Sequence, residues 1–164
     1  MTANALTAVA LLPVYSREHS MSKERKGFEF FEHPADAKFQ AFGKNLEEAF
    51  RNAIYALVSL MWEREKIQPK IEQPVVVEGI DLKQLLVGFL EEVLYLLDSR
   101  CFLLNSVVDL NIESTGAGYI LRGKFCGNRF EEGQETFGNV KAITYHEMMI
   151  DQNSHVMVQV VVDV

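Results

Sequence analysis

Apolar residues at Leu46, Ala49, Phe50, Ala53, Ile54, Leu57, Val58 and Met61 fall at the three- and four-residue intervals of a helix with one buried face. Asn45 precedes the series as an N-cap. Glu48, three residues later, completes a capping box that satisfies backbone N–H groups the helix leaves free. The same design recurs from Asp81, with Gln84 as the box partner and Leu82, Leu85, Leu86, Phe89, Leu90, Val93, Leu94 and Leu97 as the stripe. Gly43 and Gly79 each lie two residues before a cap, where a strand turns sharply into a helix and a residue without Cβ is least strained. Two copies are too few for a solenoid, which stacks about three or more units, so the pattern predicts two strand–turn–helix units on a shared core.

The rest of the chain reads as strand. "CFLLNSVVDLNIES" and "GYILRGKFCG" flank the turn Thr115-Gly116-Ala117-Gly118 and predict a hairpin, and "NVKAITYHEMMI" and "HVMVQVVVDV" flank "DQNS" and predict another. Short strands precede each helix. The order β-β-α-β-α-β-β-β-β predicts an α+β domain in which two amphipathic helices pack on antiparallel or mixed β-sheet. No linker or shift of composition divides residues 27–164, which read as a single domain. Residues 1–26 are set apart as an N-terminal extension, either disordered or preceding the native start. Their apolar run "NALTAVALLPVY" makes a poor signal peptide, because no Lys or Arg precedes it and the charged "SKERKG" follows in place of a small-residue cleavage site. Met21 heads a polar stretch, which leaves residues 1–20 as an upstream extension of the reading frame or a loosely held tail.

Composition adds two constraints. Hydrophobic residues at 48% and charged residues at 24% exclude a disordered or fibrous chain. A formal net charge of −7 argues against a surface that holds nucleic acid by neutralising phosphates, so any RNA role is indirect. Cys101 and Cys126 form no C-x-x-C pair, and both read as buried thiols in strand-like segments of a protein kept in a reducing, cytoplasmic compartment.

Candidate chemistry concentrates at the two ends of the predicted domain. In "DAKFQAF", Ala37, Phe39 and Ala41 share one face of a strand while Asp36, Lys38 and Gln40 share the other. Asp36 is either a turn residue bonded to its own backbone after Pro34 or a ligand. Asp163 closes the apolar run "HVMVQVVVDV", where a carboxylate is costly unless a cation or several donors meet it; the alternative is a frayed, solvated end. The terminal carboxylate of Val164 adds oxygen beside it. If Asp36 approaches these groups, the converging donors are all hard oxygens, which suit Ca²⁺ or Mg²⁺ better than zinc. On a regular strand Lys141 and Tyr145 share a face and His146 takes the other, so they form no compact triad. His33 and His146 as zinc ligands lack a third ligand at recognisable spacing. There is no G-x-S-x-G elbow, and the "GAG" at 116–118 lacks the Lys and helix of a phosphate loop.

The blocks "EHPADAKFQAFGKNLEEAFRNA", "VKAITYHEM" and "VVVDV", in this order with the helices between them, resemble the archease family over about Phe28 to Val164. The family pattern at the first block is more often His-Thr-Ala-Asp. Here Pro34 removes a hydroxyl and a backbone donor but leaves Asp36 in place, and no family motif matches the acidic "GNRFEEGQETFGN". The resemblance implies a protein that is not itself an enzyme but an activator of an RtcB-type tRNA-splicing RNA ligase. Such a ligase joins ends bearing a 2′,3′-cyclic phosphate or 3′-phosphate to a 5′-hydroxyl. The activator promotes guanylylation of the ligase, allows multiple turnover and can broaden nucleotide use, touching tRNA only through its partner and using no membrane. It also implies a divalent cation, commonly Ca²⁺ with Mg²⁺ or Mn²⁺ as alternatives, at Asp36, Asp163 and Val164. Lys141 matches a position the family uses for activity. Two other classes compete with this expectation: a free-standing metal-dependent hydrolase or phosphotransferase using the same carboxylates, and a chaperone-like binding module with an exposed apolar patch.

Overall fold

Asn45 and Asp81 both cap helices. Asn45 Oδ1 accepts from the Glu48 N–H at 2.9 Å and Asp81 Oδ1 from the Gln84 N–H at 2.8 Å, opening α1 (Leu46–Ser59) and α2 (Leu82–Arg100). The return bonds reach one residue beyond the cap. Glu48 Oε2 accepts from the Lys44 N–H and Gln84 Oε1 from the Ile80 N–H, each at 2.7 Å. The likeness extends to the glycines, for a reason different from the expected sharp turn. A Cβ on Gly43 would stand 2.3 Å from the Ala49 nitrogen, and one on Gly79 would stand 2.6 Å from the Leu85 nitrogen. Neither glycine has a positive φ. What excludes a side chain is the close approach of each strand end to the first turn of the helix that follows it.

The computed structural model describes residues 27–164, so the expectations for residues 1–26 lie outside the described residues. Besides the helices these comprise β1 (Gly27–Phe31), β2 (Asp36–Gly43), β3 (Ile71–Gly79), β4 (Phe102–Thr115), β5 (Gly118–Arg129), β6 (Ala142–Asp151), β7 (Val156–Asp163) and a 3₁₀ turn at Arg64–Lys66. This is the expected α+β order. The strands form two sheets, β1-β2-β7-β6 and β3-β5-β4, and every pairing is antiparallel. Both predicted hairpins, β4–β5 and β6–β7, are present.

Each helix touches strands of both sheets: α1 meets β1, β2, β7 and β4, and α2 meets β3, β4, β5 and β6. One core joins them, with Phe50 of α1 stacked on Phe89 of α2 at 6.4 Å between ring centroids and Phe89 against Phe125 of β5 at 5.4 Å. No helix among the described residues is long and apolar enough to cross a membrane. The cysteines part company. Cys126 is buried in β5, whereas Cys101 is exposed. Cys101 is the single residue between α2 and β4, so it takes a left-handed conformation (φ 51°) that ends the helix and reverses the chain.

Leu86 and Leu90 are wholly buried, and replacing either by Ala should cost about 2 to 5 kcal/mol through the cavity left behind. Gly43→Ala and Gly79→Ala should each cost about 1 to 3 kcal/mol, because the obstructing atoms are backbone and cannot swing aside. Gly116→Ala, whose Cβ meets open space, should leave the midpoint of urea unfolding where it is.

Candidate functional site

The two ends of the described chain meet in the ladder between β2 and β7, which runs from Asp36 opposite Asp163 to Gly43 opposite Val156. Phe39, Ala41, Val158, Val160 and Val162 point into the core with no exposed surface. Alternation therefore sends Asp36, Lys38 and Gln40, together with Gln159, Val161 and Asp163, to the other face. Register partners in an antiparallel pair have Cα atoms about 4.5 to 5.5 Å apart and project their side chains to the same side. Like charges placed so are destabilising unless something offsets them. Among the described residues no Lys or Arg pairs with either carboxylate; Asp36 has only His33, whose Nδ1 is 3.4 Å from Asp36 Oδ2. Lys141 lies at the mouth of the same ladder. Its N–H donates to the Asp163 carbonyl at 2.8 Å and its Nζ donates to the backbone oxygen of Val164 at 3.0 Å.

The neighbouring strand β6 is not regular. Thr144 pairs with Val161 and Met149 with Gln159, so the four residues Tyr145–Met148 stand against Val160 alone. Glu147 adopts φ 50° within this bulge. The buried side chain of Gln159 holds it there, donating Nε2 to the Glu147 carbonyl at 2.8 Å while its Oε1 accepts from Gln40 Nε2 at 2.8 Å. The bulge breaks the face assignment that a regular strand predicts for His146. His33 and His146 come together, ring centroids 6.0 Å apart, and Glu147 joins them. Glu147 Oε1 is 3.8 Å from His33 Nε2 and 3.4 Å from His146 Nε2. The third ligand-type side chain missing from the sequence pattern is thus Glu147. It was hidden because adjacent residues of a regular strand face opposite ways, and only the bulge brings His146 and Glu147 to one side.

Lys38, on the same face as Asp36, donates Nζ to Glu147 Oε2. That hydrogen bond holds the Glu147 carboxyl below its ordinary value of 4.5, against the opposing pull of partial burial, and the positive charges of Lys38, His146 and His33 act with it. A depressed carboxyl stabilises the fold at pH values above its unfolded pKa, and the contribution is lost as pH falls through the folded one. In a titration followed by carboxyl ¹³C shifts, Glu147 should therefore protonate below 4.5, and Lys38→Met should move its midpoint upward.

A model of the archease protein family (MTH1598/TM1083) matches residues 28–164. The chain is 41% identical over 140 residues to the protein archease of Pyrococcus furiosus, covering 84% of this chain and 98% of that one. It is 39% identical to the protein archease of Pyrobaculum neutrophilum, with 84% and 95% covered. The solution structure of Methanobacterium thermoautotrophicum protein 1598 superposes with a TM-score of 0.72 at 31% identity, covering 84% of this chain and 99% of that structure. With the family model spanning nearly all the described residues and the same fold found in a relative of known structure, this chain belongs to the archease family.

Proposed function

We propose that this protein is an accessory activator of an RtcB-type tRNA-splicing RNA ligase, raising the rate of ligase guanylylation, permitting multiple turnover and broadening nucleotide use. Family membership supports the reading, and one observation carries it to particular residues: Asp36 and Asp163 stand opposite each other, and among the described residues neither carboxylate is ion-paired with a Lys or Arg. The donors at this edge are the two carboxylates and the backbone oxygen of Val164. All are hard oxygens of the kind that Ca²⁺, and with stricter geometry Mg²⁺, prefers. A divalent ion here would place positive charge between the two facing carboxylates. The acidic chain, at net charge −7, leaves RNA binding to the ligase.

Lys141 has a definite place in this reading. Its ammonium holds the Val164 oxygen while its main chain holds Asp163, so it positions the end of β7 as well as presenting charge. That makes the carboxylate edge and Lys141 one unit facing the partner. Tyr145 and Met149 of β6, the strand that pairs with β7, are half-exposed and offer apolar contact area.

Asp36→Ala, Asp163→Ala and Lys141→Ala should each lower stimulation of ligase guanylylation about 10- to 100-fold, the worth of a lost hydrogen bond to a charged group. The assay is single-turnover guanylylation of the ligase with GTP and Mn²⁺, beside thermal melting of the activator with and without Ca²⁺. Unchanged melting with lost stimulation assigns the carboxylates to the ligase contact. Earlier melting, with stimulation regained on cooling, makes the cation a rivet for β7 only. Full stimulation by all three variants, or turnover of phosphate esters by the protein alone, overturns the proposal.

A further inference from the structure

The cluster of His33, His146 and Glu147 is chemically unlike the carboxylate edge beside it. We infer that it is a second cation site, selective for borderline divalent ions of the Zn²⁺ class, distinct from the hard-oxygen edge at Asp36 and Asp163. One ligand atom from each of the three residues lies within 4.8 Å of the other two. Glu147 Oε1 is the shared corner, 3.8 Å from His33 Nε2 and 3.4 Å from His146 Nε2. Ligands about 2.0 to 2.2 Å from a tetrahedral zinc stand roughly 3.3 to 3.6 Å from each other. The two edges at Glu147 lie in or near that range, and the imidazole nitrogens, within 4.8 Å of each other, would draw together to complete the triangle. Two imidazoles and one carboxylate favour zinc and its transition-metal neighbours over Ca²⁺ or Mg²⁺, which take oxygen.

Two further observations point to a ligand rather than to a chance grouping. The first is His33 Nδ1, which is buried and makes no well-formed hydrogen bond, although Asp36 Oδ2 lies only 3.4 Å away. Buried polar atoms rarely stay unpartnered. An ion on His33 Nε2 would leave the ring proton on Nδ1, which already faces Asp36 Oδ2 at 3.4 Å, and so complete the carboxylate–histidine–metal arrangement that fixes tautomer and ring orientation. The second is the handling of Glu147. Lys38 occupies Oε2 and Gln159 pins the main-chain carbonyl, so Oε1 is left facing the two imidazoles. His146 is 65% exposed on its side chain, which leaves the remaining coordination positions open to water or to a donor from a docked partner. Asp36 acts here as a positioning residue for His33.

This inference does not rest on the ligase reading and is tested without a ligase. Metal-free full-length protein is titrated with Zn²⁺ by calorimetry and with Co²⁺ by its ligand-field absorption, in the presence of excess Ca²⁺. One equivalent of each ion should bind. His146→Ala and Glu147→Gln should each weaken binding about tenfold or more and remove the Co²⁺ spectrum, while Asp163→Asn should leave affinity within about threefold. His146→Ala changes an exposed side chain, and circular dichroism of that variant keeps loss of metal separate from loss of fold. Absence of a Co²⁺ spectrum, a spectrum unchanged by His146→Ala, or a loss through Asp163→Asn equal to that through His146→Ala would each overturn the second site.

Discussion

The pairing of β2 with β7 is the constraint on which the site depends. β7 is apolar on both faces, so its own pattern leaves two registers open. β2 is not: a slip of one residue would turn Phe39 and Ala41 out of the core and Lys38 and Gln40 into it. Gln159, the polar residue within the apolar run of β7, reinforces the choice by accepting from Gln40 directly across the ladder. Once Gln40 stands opposite Gln159, alternation leaves Asp36 opposite Asp163 with no further freedom. The acidic edge is the far end of a register set by hydrophobic burial.

The same glutamine links that register to the irregularity in β6. Gln159 is bonded on one side to Gln40 and on the other to the carbonyl of Glu147. A left-handed residue without β-branching tolerates the strain of φ 50° only where its surroundings hold it there. Here the holding groups are the Gln159 amide and the Lys38 ammonium. The bulge thereby turns two neighbouring residues of opposite faces into a pair on one face. Bulges beside functional sites commonly re-aim a side chain in this way. The hard-oxygen edge and the imidazole cluster then share Asp36 and His33 as their common boundary.

The two strand–helix units supply the platform rather than the chemistry. Their capping bonds match residue for residue, and their glycines are compelled by the same clash with the helix backbone. The sheets do not repeat with them. β2 joins a four-stranded sheet and β3 a three-stranded one, and the carboxylate edge belongs only to the first. The duplicated design accounts for a stable core between sheets, and the candidate site lies on the sheet that holds the hairpin β6–β7.

Local pattern by itself determined the helices, their caps, the two hairpins and the α+β class, because periodicity and capping act within a few residues and need no distant partner. The sequence blocks around Asp36, Lys141 and Asp163 also carried the family likeness. Tertiary structure alone decided the rest. That Asp36 meets Asp163 depended on which strand lies beside β7, and nothing local to either aspartate states it. Cys101 read as a strand residue until the end of α2 required a left-handed cap. The place of Glu147 beside His33 and His146 was invisible because a bulge is a mismatch between two strands, and a mismatch exists only once both are in place.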